Sequence, residues 1–153
     1  MIDYRDFHVP EDSALIRTRQ ELLDIELVHD NIAHCYWARG IPRELCERSL
    51  RNSLCFGIYV EGSQVGFARV VTDLATFAYL GDVFIVEHAQ GNGYGKQLMT
   101  AILSHPDLQG LRRFCLATRD AHSLYERYGF RVIQEPESWM EIKVADIYLR
   151  SPG

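Results

Sequence analysis

Seven residues, Gln90-Gly91-Asn92-Gly93-Tyr94-Gly95-Lys96, constrain this chain more than any others. They lie between the apolar run Val83-Phe84-Ile85-Val86 and a segment with Leu98, Ala101 and Ile102 at helical spacing. Glycine at three alternate positions removes side chains, so the backbone can take φ > 0 and approach a ligand closely. The loop opens a helix, whose free amides and positive dipole end favour an anion. A phosphate or pyrophosphate is the natural guest; a plain flexible turn is the alternative.

Spacing separates the known phosphate loops. A P-loop needs glycine five residues before the last one, then Lys-Ser/Thr. Here those positions are Gln90 and Lys96-Gln97, so that loop is excluded. A dinucleotide fingerprint needs Gly-x-Gly-x-x-Gly after a domain's first strand. This loop is Gly-x-Gly-x-Gly and comes late.

The rest of the chain fits one ordinary globular domain over residues 1–153. Hydrophobic residues make up 47% and charged residues 24%. The formal charge is −5, which argues against nucleic acid as a partner but leaves room for a locally positive pocket. Cys35, Cys46, Cys55 and Cys115 form no Cys-x-x-Cys and show no metal-type spacing, so no metal is expected and reduced thiols are. There is no apolar run long enough to span a membrane, and the start Met1 to Asp6 is too polar for a signal peptide. A cytoplasmic location is the expectation.

Read for periodicity, the chain begins with a short strand around Leu15 to Arg19. A helix then carries Leu22, Ile25, Val28, Ile32 and Tyr36, with Asp24 placed to cap it. Gly40 ends it, and a second helix runs from about Pro42 to Asn52. Strands follow over Phe56 to Val60, Val65 to Thr72 and Thr76 to Val86, turning at Glu61-Gly62-Ser63-Gln64 and near Asp73. After the glycine loop and its helix come a strand at Phe114 to Ala117 and a helix at Asp120 to Tyr128. Further strands are expected at Phe130 to Ile133 and within Trp139 to Leu149. This is an α/β or α+β domain around a central mixed sheet.

Gln90-x-x-Gly93-x-Gly95, entered from a strand containing Ile85, resembles the GNAT superfamily of acyl-CoA-dependent N-acyltransferases. Leu124-Tyr125-Glu126-Arg127-Tyr128-Gly129-Phe130 is similar to that family's late Leu-Tyr-Glu-Lys-x-Gly-Phe segment. The resemblance covers about Leu54 to Ile133. It implies a mixed, mostly antiparallel sheet with flanking helices and splayed central strands, with acetyl-CoA as co-substrate in the gap. By the same likeness, the backbone of Val83, Phe84 and Ile85 would pair with the pantetheine arm. The amides of Gln90, Gly91, Asn92, Gly93, Tyr94, Gly95 and Lys96 would hold the pyrophosphate. Lys96 and Arg127 would be partners of the 3′-phosphate, or solvated surface charges. Thr118 stands where the family often has Asn, and Tyr79 where many members carry a glutamate base. Members of the family are often dimers, so a homodimer is expected.

Acetyl transfer to an amine needs a neutral amine, although a lysine-type amine has a pKa near ~10.4. It also needs a donor for the developing oxyanion and a proton for the leaving thiolate. An amide of Val83 to Ile85 suits the oxyanion. Tyr125 suits the thiolate, or else is a tyrosine packed on the sheet. Asp82, a carboxylate inside an apolar strand, is a candidate base; it could instead be a structural acceptor, with water carrying the proton. Tyr36 and Trp37 at the end of the first helix, with Phe77 and Tyr79 on the long strand, are the candidate acceptor pocket. The expected acceptor is an amine on a small molecule, amino acid or peptide. A non-catalytic acyl-CoA-binding domain is the alternative.

Overall fold

The computed structural model describes residues 14–150. Among these residues, five strands form one sheet in chain order: β1 (Ala14–Arg17), β2 (Leu54–Val60), β3 (Ser63–Thr72), β4 (Phe77–Ile85) and β5 (Arg113–Leu116). Neighbours pair antiparallel except β4 and β5, which run parallel. Local chemistry explains the meander. Glu61 and Gly62 both take positive φ, as a two-residue hairpin turn requires, and join β2 to β3. Asp73 builds the next turn. Its carboxylate accepts from the Thr76 hydroxyl and from the amides of Ala75, Thr76 and Phe77, which holds its carboxyl well below the usual range.

Four helices among the described residues flank the sheet: α1 (Ile25–Ala33), α2 (Arg43–Arg51), α3 (Tyr94–Ser104) and α4 (His122–Glu126). Asp24 caps α1 as expected, accepting from the Leu27 amide. The sheet's alternation divides the interior in two. Leu54, Phe56 and Ile58 turn to one face and pack with Leu98, Ala101 and Ile102 of α3. Cys55 and Phe67 turn to the other and pack with Val28 and Ile32 of α1 and Cys46 and Leu50 of α2. Each large apolar side chain fully buried in these clusters contributes roughly 1.5–3 kcal/mol.

β4 changes parity partway along. Ala78 and Leu80 face the α3 side, and so do Val83 and Ile85. A strand with period two cannot do this without one extra residue. The register shows the insertion: Gly81 lies opposite Arg69, but Phe84 opposite Phe67, so two residues of β4 face Ala68 alone. Asp82 sits in this bulge with φ of 55°. The β4–β5 pairing runs from Phe77↔Arg113 to Leu80↔Leu116 and stops there. β5 ends at that point while β4 runs on to Ile85 with no strand among the described residues on that edge, at the place where the resemblance implied that the two strands splay.

Four expectations change. The first helix is shorter than the span from Leu22 to Tyr36, because Gln20–Leu22 forms a separate 3-10 turn and residues 34–40 turn away. The helix expected from Asp120 to Tyr128 keeps only His122–Glu126. No strand forms at Phe130 to Ile133, nor within Trp139 to Leu149. Those residues run as irregular chain with 3-10 turns at Pro136–Ser138 and Ile147–Leu149. Apolar alternation was present in the tail, but no strand among the described residues pairs with it. Met140 and Ile142 stay exposed, while Tyr148 packs against the α1–α2 core and Leu149 against Gly40.

Candidate active site

The site follows from β4 outrunning β5, which ends at Leu116. Ligands of open α/β sheets bind where parallel strands end and diverge. Here the carboxyl end of β4 leads into the glycine loop, and that of β5 leads into α4 with Tyr125. The Val86 amide donates to the Val65 carbonyl, so it points at β3. Amides alternate between the two edges of a strand. The amides of Val83 and Ile85 therefore turn to the opposite edge, into the gap that β5 has left. The bulge at Asp82 places them beyond the last β4–β5 pair.

The loop is stitched from within. The Gln90 side chain donates to the Ile85 carbonyl at 3.0 Å, and the Asn92 side chain to the Ala89 carbonyl at 2.9 Å. The Gln90 amide already donates to Glu87, so it is not part of the expected anion cradle. Gly91 and Gly93 take φ of 83° and 80°, which most side chains resist. Gly95 lies within the first turn of α3 at ordinary helical φ, and its glycine leaves open space where a Cβ would stand. The first helical bond runs from the Gln97 amide to Gly93. The amides of Gly93, Tyr94, Gly95 and Lys96 thus open α3 without helical partners, and no side chain caps them. This donor set fits a pyrophosphate. Lys96 and Arg127 are both exposed near the ends of their elements.

Tyr125 is half-buried on α4, its ring edge-on to Phe130 at 6.0 Å. It lines a groove of about 920 Å³ beside β5 with His122, Thr118 and Leu116. Burial pushes its phenol above the ordinary tyrosine value. Thr118, in the place of the family's frequent Asn, spends its hydroxyl on the Ala121 amide at the start of α4.

A second cavity of about 400 Å³ lies on the other face, between α1, α2 and the bulge. Asp82 forms its polar end. One carboxylate oxygen accepts from Trp37 Nε1 at 2.7 Å and the other from Arg69 Nε at 2.7 Å. Arg69 also donates to the Ser53 hydroxyl at 3.1 Å. Trp37 stands edge-on to Tyr36, and the Arg119 guanidinium lies 3.7 Å from the Tyr36 ring centre. A chain of contacts therefore runs from the β5–α4 connection through Tyr36 and Trp37 to the bulge.

Of the residues expected around an acceptor, Trp37 lines this cavity and Tyr36 braces it. Tyr79 shares the face of Gly81. Its phenol is pushed up by burial first, then by Cys115 and Asp82. Phe77 is not brought in, since it lies at the opposite end of β4, beside Arg113. Arg48, Arg69 and Tyr148 line the cavity and were not foreseen. One signal was available: Arg69 and Asp82 are opposite charges set in consecutive apolar strands, a pattern that asks for a cross-strand pair. Among the described residues no cluster of three or more His, Cys, Asp or Glu could hold a metal, and no helix is long and apolar enough to cross a membrane.

Comparison with known proteins gives a consistent answer. A family model described as an acetyltransferase (GNAT) domain matches residues 51–132. A curated protein of Gibberella zeae, provisionally named an acetyltransferase, is 30% identical over 97% of this chain and 91% of its own length. A crystal structure from Xanthomonas campestris pv. campestris, of a protein assigned to the GNAT family, superposes with a TM-score of 0.88. It is 52% identical and covers 90% of this chain and 97% of its own. A crystal structure from Clostridium acetobutylicum, of a protein provisionally named an acetyltransferase and solved with acetyl-CoA, shares the fold at 16% identity. Its TM-score is 0.63, and the match covers 85% of this chain and 96% of the other. The matched segment holds the bulged strand, the glycine loop and Tyr125 together, and the chain belongs to the GNAT family of acetyltransferases.

Proposed function

We propose that the protein transfers an acetyl group from acetyl-CoA to a primary amine of a small molecule, amino acid or peptide, by direct attack within a ternary complex. One observation carries this reading. The gap between β4 and β5 joins outward backbone amides to the open N-terminus of α3, and a separate cavity reaches the same bulge through Asp82. A thiol-linked acyl donor and an amine can thus meet at the bulge from opposite faces of the sheet.

The residues divide the work. The amides of Gly93 to Lys96 suit the pyrophosphate, and those of Val83 and Ile85 the extended arm. One of the latter can hold the carbonyl oxygen as charge develops on it. The nitrogen–carbon bond forms, the carbon–sulfur bond breaks, and the thiolate takes a proton from Tyr125, which solvent restores. Asp82 already receives one donor on each oxygen. That suits it to orient the incoming amine, while water carries the amine's proton away. Alignment of the two substrates supplies a further share, up to roughly 7–11 kcal/mol.

The test incubates the protein with acetyl-CoA and a panel of amines, and detects acetylated product by mass. The expected result is one acceptor class acetylated with matching thiol release. Binding of acetyl-CoA without acetylation of any amine would favour a non-catalytic acyl-CoA-binding domain.

A further inference from the structure

The acceptor cavity has a charge opposite to that of the protein. The chain carries a formal −5, yet the cavity's ionised lining is two guanidinium groups, Arg48 and Arg69, against one carboxylate, Asp82. A site of this sign repels a polycation and attracts an amine that also bears an anion.

Arg69 is the better defined of the pair. Its side chain is 22% exposed, and that of Asp82 7%. A guanidinium has five N–H donors in a fixed plane. Asp82 takes the one on Nε and Ser53 one on Nη1. Three donors remain without a partner among the described residues, in a fork pinned by the other two. Arg48, on the last turn of α2, has no ion pair among the described residues, although Arg43 on the same helix is paired with Glu47. The cavity therefore offers guanidinium donors that no described residue receives.

Geometry narrows the ligand further. The Arg69–Asp82 pair sets a positive and a negative group side by side, 2.7 Å apart. Its complement is a ligand whose ammonium and carboxylate are equally close. An α-amino acid meets that condition; a long diamine or an ω-amino acid does not. The remaining wall is apolar, formed by Ile32, Ile41, Leu45 and the rings of Trp37 and Tyr148. Its volume of about 400 Å³ lies within the range for small-ligand pockets of roughly 300–1,000 Å³.

We propose that the acceptor is an α-amino acid with an apolar side chain, its carboxylate held by the free donors of Arg69 and by Arg48, and its amine by Asp82. This deepens, and rests on, the reading of the cleft as an N-acetyltransferase. The amine lies at the bulge, next to the amides that face the gap, while the side chain occupies the apolar wall.

Leucine, leucinamide, 3-methylbutylamine and spermidine separate the possibilities, because the first three share a side chain and differ in the carboxylate. Two measurements run in parallel: kcat/KM with acetyl-CoA, and calorimetric binding to protein saturated with CoA, which needs no turnover. Leucine is expected to exceed leucinamide by ~10- to 100-fold in both, the range of a charged hydrogen bond. Arg48→Gln should shrink that ratio several-fold while the acetyl-CoA-induced rise in Tm persists, showing an intact fold. Leucinamide or spermidine equal to or better than leucine would overturn the proposal and leave acetyl transfer standing. So would failure of leucine to bind. Selective leucine binding without acetylation of any amine would support the carboxylate site and overturn the catalytic reading instead.

Discussion

Tyr125 carries a hydroxyl that makes no hydrogen bond among the described residues, on a ring that packs against Phe130. Removing the oxygen alone should spare the fold. As the proposed proton donor, it would contribute about 10²–10⁴-fold. Tyr125→Phe should lower kcat by that range and leave acetyl-CoA binding nearly unchanged. The pH profile gives a second readout. Burial raises the phenol's pKa above the ordinary tyrosine value, so it keeps its proton longer as pH rises. Any alkaline loss of wild-type kcat from this group should therefore come at higher pH than a free tyrosine would give. A full kcat in the Phe variant would make solvent the donor. Asp82 differs in kind. Its left-handed backbone was invisible in sequence, because no local motif announces a bulge inside an apolar strand. What the sequence did show was a carboxylate where a strand should be apolar, which marked the place but not its partners.

At the scale of elements, the loop and α3 act together. Gly93 is both a left-handed residue and the N-cap of α3. Gly93→Val would force a β-branched residue into that conformation and put methyl groups over the free amides. Saturating acetyl-CoA at ~100 times its dissociation constant should add about 2.7 kcal/mol to the wild-type protein. The variant should lose that gain in a thermal melt while remaining folded without ligand; an undiminished shift would place the pyrophosphate elsewhere. This part of the fold was the most legible, because glycine spacing, strand run and helix period all bore on the same dozen residues. The tail was the least legible. Alternation in Met140 to Val144 is a sound strand signal, but a strand also needs a partner, and that depends on the whole fold rather than on the segment.

Over the whole molecule, most perturbed acids shift one way. Cys35, Cys46, Cys55, Cys115, Tyr79 and Tyr125 are all raised, chiefly by burial, and Cys55 to about 12. Each is neutral when protonated, so the folded chain keeps protons that the unfolded chain releases from about pH 9 to 10. The stability they support is complete below that range and falls as pH rises toward 12. Urea melts from pH 7 to 11 should show a steep alkaline decline, and Cys55→Ala should flatten it. A flat profile in the wild type would show that these thiols ionise without unfolding. The acceptor cavity has the same long-range origin. Arg48, Arg69, Asp82 and Tyr148 come from four separate stretches of chain, and only the assembled fold brings them to one wall. Sequence spacing could name the cofactor loop but not this set.

The early end of the β4–β5 ladder has a consequence for isotope exchange. The amides of Val83 and Ile85 face a gap rather than a strand, and those of Gly93 to Lys96 begin a helix without acceptors. In heavy water these six positions should trade hydrogen for deuterium quickly, although their neighbours in β3 and the middle of α3 exchange slowly. A donor that fills the gap would slow all six at once. The deuterium difference between free and acetyl-CoA-bound protein should then trace the path of the bound molecule along the backbone, residue by residue, with no side chain altered.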